Sequence, residues 1–163
     1  MMKRRVISLL MVIALLAAMA VAPMGAMAAT KVKILKVTVD GARLRTGPAS
    51  TYDVKTSLKK GSKVIYLGKT KNSFAHIRTS GGTEGYMYKG FLKNYGTCYK
   101  SQIYKSKKNS LPVYKKAGHS SKVTRLKKGQ HVIVYQVKGK WAYIKTLGGK
   151  GGYCKASSLT KAF

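Results

Sequence analysis

Acidic residues are nearly missing from this chain. Asp40, Asp53 and Glu84 are the only three, against 33 Lys and Arg, and the formal charge is +30. The paired carboxylates of a glycosidase would have to be drawn from these three. Asp40 and Asp53 both fall in turn-like sequence, where a side-chain oxygen serves the local backbone. Histidine is scarce as well: His76, His119 and His131 stand apart, with no His or carboxylate at ligand spacing, which argues against a metal centre. There are two cysteines, Cys98 and Cys154, and neither sits near a helix start beside an activating His, the setting a thiol nucleophile needs. Helix-length apolar periodicity is absent after residue 30. These shortages point away from an enzyme and from any cofactor.

The longest apolar run lies at the N-terminus. Lys3-Arg4-Arg5 precedes a stretch from Val6 to Ala22 that is apolar apart from Ser8. Pro23 and Gly25 break it, and Ala26-Met27-Ala28 presents small residues to a signal peptidase. The pattern predicts a signal peptide over residues 1–28, cleaved after Ala28. A membrane anchor fits less well, because the strongly apolar part is short and ends in Ala before helix breakers. The mature protein is then expected to be secreted or held non-covalently at the cell wall. Without Lys3, Arg4 and Arg5 the charge falls from +30 to +27, still a density that calls for an anionic partner. Outside that leader only Arg43, Arg45, Arg78 and Arg125 are arginine. The rest of the positive charge is lysine, a hydrated point charge suited to diffuse attraction rather than bidentate recognition. In an exported chain Cys98 and Cys154 are expected to pair, closing a loop of about 57 residues worth roughly 4 kcal/mol; two small buried thiols are the alternative.

The remainder is written twice. Leu58-Lys59-Lys60-Gly61 recurs 68 residues later as Leu126-Lys127-Lys128-Gly129. Each copy continues into an apolar run, Val64 to Leu67 or Val132 to Tyr135, then an aromatic start, Phe74-Ala75-His76-Ile77 or Trp141-Ala142-Tyr143-Ile144. Each closes on Gly-Tyr, Gly85-Tyr86 or Gly152-Tyr153, and a late Leu92 or Leu159. Self-similarity of this length means a duplicated module. Period-two alternation with turn signals at Lys60-Gly61, Gly81-Gly82 and Gly148-Gly149 predicts short strands throughout. Modules of this size bury little core and are expected to close into small barrels, with a boundary near Lys93 to Thr97.

The opening Gly41-Ala42-Arg43-Leu44-Arg45-Thr46-Gly47-Pro48, with Ser50-Thr51-Tyr52, the Leu58-Lys59-Lys60-Gly61 middle and Gly85-Tyr86, resembles the bacterial SH3 (SH3b) family. The resemblance spans about residues 32–94 and, more weakly, 98–161. It implies an all-β chain of two tandem SH3-like barrels and binding to bacterial cell walls, commonly through peptidoglycan peptides. The sequence also departs from the family pattern: Ala42-Arg43 replaces Leu-Asn, Phe74 replaces Trp, and the second copy has Tyr114-Lys115-Lys116-Ala117-Gly118 where Arg-x-Gly-Pro is usual. The second copy is therefore expected to keep the barrel without necessarily sharing the ligand.

Strand parity selects candidate contacts. With Ala75, Ile77, Ala142 and Ile144 facing the cores, Phe74, His76 and Arg78 point outward, as do Trp141, Tyr143 and Lys145. In Tyr86-Met87-Tyr88 the same parity buries Met87 and exposes both tyrosines. An outward aromatic beside a cation can stack on a sugar or peptide and attract a carboxylate or phosphate. The candidate ligand-binding residues are Arg45, Tyr52, Phe74, Arg78, Tyr86, Tyr88, Trp141 and Tyr143. The competing reading makes the same aromatics lids over thin cores. Three functions fit: a non-catalytic binder of peptidoglycan peptides and of teichoic acid or another anionic wall polymer; a general polyanion binder of nucleic acid, acidic glycan or a membrane surface, with nucleic acid the less favoured partner; or an adaptor that docks a secreted wall hydrolase.

Overall fold

A computed structural model of the chain describes residues 29–118 and 121–163; the expected signal peptide, residues 1–28, and His119 lie outside them. The described residues build two seven-stranded antiparallel sheets and no α-helix. The first contains β1 (Lys31–Val37), β2 (Ala42–Arg45), β3 (Val54–Leu58), β4 (Lys63–Lys71), β5 (Phe74–Arg78), β6 (Glu84–Tyr88) and β7 (Leu92–Tyr99). The second contains β8 (Ile103–Ser106), β9 (Leu111–Tyr114), β10 (Lys122–Leu126), β11 (His131–Lys138), β12 (Trp141–Thr146), β13 (Gly151–Lys155) and β14 (Leu159–Lys161). The spatial orders are β3-β2-β6-β5-β4-β1-β7 and β10-β9-β13-β12-β11-β8-β14, the same path traced twice. The described residues are thus all-β, in two SH3-like units.

Alternation builds each core as expected. Val37, Ala42, Leu44, Val64, Ala75, Ile77 and Met87 are buried together in the first unit. Leu111, Val113, Leu126, Val132, Ala142, Ile144 and Cys154 are their counterparts in the second. The turn glycines Gly82 and Gly149 sit at φ +99° and +97°, a conformation that side chains other than Gly rarely adopt. Asp40 serves its turn: its Oδ1 accepts from the Lys60 N–H at 2.9 Å, and Asn109 does the same for Lys128 at 3.2 Å. Among the described residues no ladder joins β3 to β7, so each sheet is rolled around its core and keeps two edges.

Two expectations need correction. The stretch Lys93 to Thr97 lies inside β7, which pairs along β1 from Leu92 opposite Val37 to Tyr99 opposite Lys31. The connection to the second unit is instead the 3-10 turn Lys100–Gln102. Cys98 consequently stands opposite Val32 on the first sheet, and the expected Cys98–Cys154 bridge is not formed: both thiols are free. They are buried in different clusters, Cys98 between the two sheets and Cys154 inside the second core. Burial pushes the Cys154 thiol up to about 11 and also raises that of Cys98, the reverse of nucleophile activation.

A third apolar cluster joins the units. Ile34, Ile65 and Cys98 of the first sheet meet Ile103, Ile133 and Leu147 of the second. Beside it the His131 N–H donates to the Ser80 carbonyl at 2.8 Å. Arg78 reaches from the first sheet to the Ala162 carbonyl at 3.4 Å and lies over the Phe163 ring at 4.5 Å.

His131 gives this junction a pH dependence. It is 5% exposed, and its Nδ1 finds no hydrogen-bond partner among the described residues. Burial holds its pKa below the ordinary 6.5; Arg78 and Lys105 act in the same direction, and the Ser80 carbonyl and Glu84 oppose them. The unfolded chain therefore takes up this proton first as pH falls below about 6.5, and stability declines through that window down to the lower folded pKa. Thermal melts from about pH 7.5 to about pH 5 are expected to show a falling Tm. His131→Gln, which cannot take the proton, should flatten part of that slope; an unchanged slope would assign the titration elsewhere.

Candidate functional site

Where β2, β5 and β6 of the first sheet meet the loop after β1, their outward side chains frame a groove of about 550 Å³. Phe74, Tyr88 and Phe91 form its aromatic wall, and Asp40, Arg43 and Arg45 its polar side. The wall follows from register. Phe74 lies opposite Tyr88 across β5–β6, with ring centroids 5.9 Å apart and edge-on. The 3-10 turn Lys89–Phe91 then swings Phe91 back to Tyr88 at 5.3 Å, again edge-on. Edge-to-face contacts of this kind add about 0.5–1.5 kcal/mol beyond burial and hold the rings in place.

The side chains on the core are Leu35, Val39, Leu58, Tyr66, Phe91 and Leu92. Phe91 is therefore part lid and part wall. Phe74 is half-buried, and Tyr88 is 44% exposed, open to a ligand.

The other first-unit candidates are distributed around this groove. Arg45 lines it and is steadied from behind, its Nη1 donating to the Tyr52 carbonyl at 2.7 Å. Tyr52 is 49% exposed and packs its ring where a Cβ on Gly47 would overlap it, which accounts for glycine in that loop. Tyr86 stands opposite Arg45 and stacks on His76 at 4.8 Å. Arg78 is turned elsewhere. Its Nε and Nη2 both donate to Glu84 Oε1, at 2.8 and 2.5 Å, and the rest of the group faces the C-terminal tail. It belongs to the junction between the units rather than to the groove.

The second unit departs most at this place. The hollow equivalent to the first groove is only about 280 Å³, lined among others by Asn109, Pro112, Tyr114, Lys155 and Ser158. The strand register puts Trp141, Lys155 and Ser158 where the first unit has Phe74, Tyr88 and Phe91, so two of the three rings of the aromatic wall are lost. Trp141 and Tyr143 instead border a hollow of about 640 Å³ with Lys115, Lys116, Lys138 and Tyr153.

Sequence reasoning missed Phe91 and Arg43 in the first unit, and Tyr153 and the lysines in the second. Phe91 follows the end of β6 in a 3-10 turn, where alternation gives no signal. Tyr153 carried one, as the repeat partner of Tyr86.

Comparison with known proteins places this groove. Residues 40–93 match the bacterial SH3 domain family and form one such domain. No curated protein matches the chain. Among solved structures the chain is similar to NlpC2 from Trichomonas vaginalis, at 19% identity over 79% of this chain and 48% of that one, with a TM-score of 0.33. It is also similar to NlpC1 from the same organism, at 18% identity over 79% and 45% of the two chains, with a TM-score of 0.31. This chain spans about half the length of either, and similarity at that level carries no functional argument.

Proposed function

We propose that the protein is an exported, non-catalytic cell-wall binder built from two SH3b-like units. Its lysine-rich surface retains it on anionic wall polymers, and the aromatic groove of the first unit selects peptidoglycan peptides. The observation that carries this reading is the groove itself: Arg45, Phe74, Tyr88 and Phe91 converge within the stretch that matches a bacterial SH3 domain. A shallow aromatic wall beside fixed cations suits a short peptide with a free carboxylate, the aromatic faces taking its aliphatic parts. Both thiols are buried with raised pKa values, and the carboxylates of Asp40 and Glu84 are committed to backbone and to Arg78, which leaves little for catalysis.

The test is sedimentation of residues 29–163 with purified Gram-positive sacculi, intact and stripped of teichoic acid, at low and high salt, with DNA-cellulose in parallel. Binding to stripped sacculi is expected to survive high salt, because contacts inside the groove are screened less than surface lysines. The Phe74→Ala, Tyr88→Ala double variant should lose about tenfold in that salt-resistant component. Binding that vanishes with salt and is matched by DNA would overturn the reading in favour of a general polyanion binder, the second reading, which the +27 charge without Lys3, Arg4 and Arg5 supports.

A further inference from the structure

The second unit carries a row of tyrosines that its fold does not require. Tyr135 on β11, Tyr143 on β12 and Tyr153 on β13 cross three neighbouring strands, with ring centroids 6.2 Å and then 5.1 Å apart. Tyr135 is 53% exposed and Tyr143 37%. Their strand neighbours Val134, Ile144 and Cys154 supply the core instead. The same three places in the first unit are held by Leu67, His76 and Tyr86, so the same strand path forms without the row. Lys115, Lys116 and Lys138 stand beside Tyr143 and Tyr153 around the 640 Å³ hollow, and Tyr135 continues the row into a neighbouring hollow that Lys63 and Lys145 also line. No Asp or Glu follows Glu84 in the chain, so the second unit has no acidic side chain of its own to neutralise them.

We propose that this row and its lysines hold one extended strand of an anionic glycan, a sugar chain bearing carboxylates. The proposal rests on the wall-binding reading above and gives the sugar chain to the second unit, the peptide to the first. A pyranose presents an apolar face of C–H groups that lies flat on an aromatic ring, while its hydroxyls meet the phenolic oxygens around it. Rings 5.1 and 6.2 Å apart are spaced about as successive sugars are, so neighbouring tyrosines meet neighbouring units. Successive sugars turn about each linkage, and the tyrosine planes turn too, by 49° and 50°. Lysine suits carboxylates spread along a chain, since it imposes no fork geometry on them.

Trp141 is the only tryptophan and borders the hollow, so its fluorescence reports on this place alone. The probe is peptide-free glycan strands, released from sacculi by an amidase, titrated into residues 29–163 beside a neutral chitin hexamer and single-stranded oligothymidine. The glycan strands are expected to shift Trp141 emission saturably, more tightly than either control. The variant Tyr135→Leu, Tyr143→His carries residues the first unit already holds at these places and so keeps the fold. It should weaken the strands about tenfold, whereas Phe74→Ala, Tyr88→Ala should leave them unchanged. Oligothymidine binding as tightly as the strands, or strands indifferent to the tyrosine variant, would overturn the proposal. Sacculi bound through Phe74 and Tyr88 with Trp141 unmoved by glycan would overturn it and leave the wall reading standing; sacculi unbound altogether would overturn both.

Discussion

Alanine at Gly85 or at Gly152 is expected to cost about 3 kcal/mol or more of stability, the upper end for overpacking a single methyl group. The reason is backbone. The β2–β3 pair joins the rest of its sheet only where β2 meets β6, and β9–β10 only where β9 meets β13, and the pairing at that seam is a single bridge, Arg45 with Tyr86 or Tyr114 with Tyr153. A Cβ on Gly85 would lie 2.5 Å from the Arg45 carbonyl oxygen and 3.0 Å from Leu44 Cγ. On Gly152 it would lie 2.5 Å from the Tyr114 carbonyl oxygen and 2.7 Å from Val113 Cγ1. A side chain could rotate away; a carbonyl in a sheet cannot, so the seam itself must open. For a domain whose whole stability is about 5–15 kcal/mol, that is a large fraction. Gly96→Ala is the control, since nothing lies within 4 Å of its Cβ position and its φ is not positive. Urea unfolding should show a clear loss for Gly85→Ala and Gly152→Ala and almost none for Gly96→Ala. Equal losses at all three would refute the seam argument.

The Gly-Tyr pair was visible in the sequence as a repeated motif, and the seam gives its physical reason. Alternation likewise told which face of β5, β6 and β12 is buried: Ala75, Ile77, Met87, Ala142 and Ile144 are all inside. It failed where a strand has two buried faces. Val64 and Ile65 are both buried, and so are His131, Val132, Ile133 and Val134 in a row. One set faces its own core, the other faces the second sheet, and period two cannot say that another sheet is coming. β7 was hidden for the opposite reason. As an edge strand it shows solvent Lys93, Asn94 and Tyr95, a composition that reads as linker until its pairing with β1 is known. The same error moved Cys98 into the wrong unit and suggested a disulfide. Of the candidate contacts, parity told that Phe74, Tyr88, Trp141 and Tyr143 face outward, where they line two hollows, but gave no sign that Arg78 is held by Glu84, a cross-strand neighbour that only register reveals.

Those doubly buried strands lead to the second large effect. Ile65 is fully buried between the sheets, among Ile34, Cys98, Ile103, Ile133 and Leu147. Ile77 is equally buried but lies wholly within the first core. Truncating either to alanine should cost about 2–5 kcal/mol through lost burial and the cavity left behind. Their consequences for cooperativity differ. With the junction intact, the two units share an apolar cluster, and unfolding one exposes the apolar side of the other, so the wild-type chain is expected to melt in one transition. Ile65→Ala weakens the shared surface while leaving both cores filled, and the melt should split or broaden into two. Ile77→Ala weakens the first core and leaves the junction whole, so the transition should move down and remain single. Calorimetry decides between them: a calorimetric enthalpy well above the van't Hoff value in Ile65→Ala, with the two equal in Ile77→Ala, is the expected pair of results. Splitting in both variants, or in the wild type, would mean that the cluster packs the units side by side without coupling them. In that case the aromatic groove and the tyrosine row would not be held at a fixed separation.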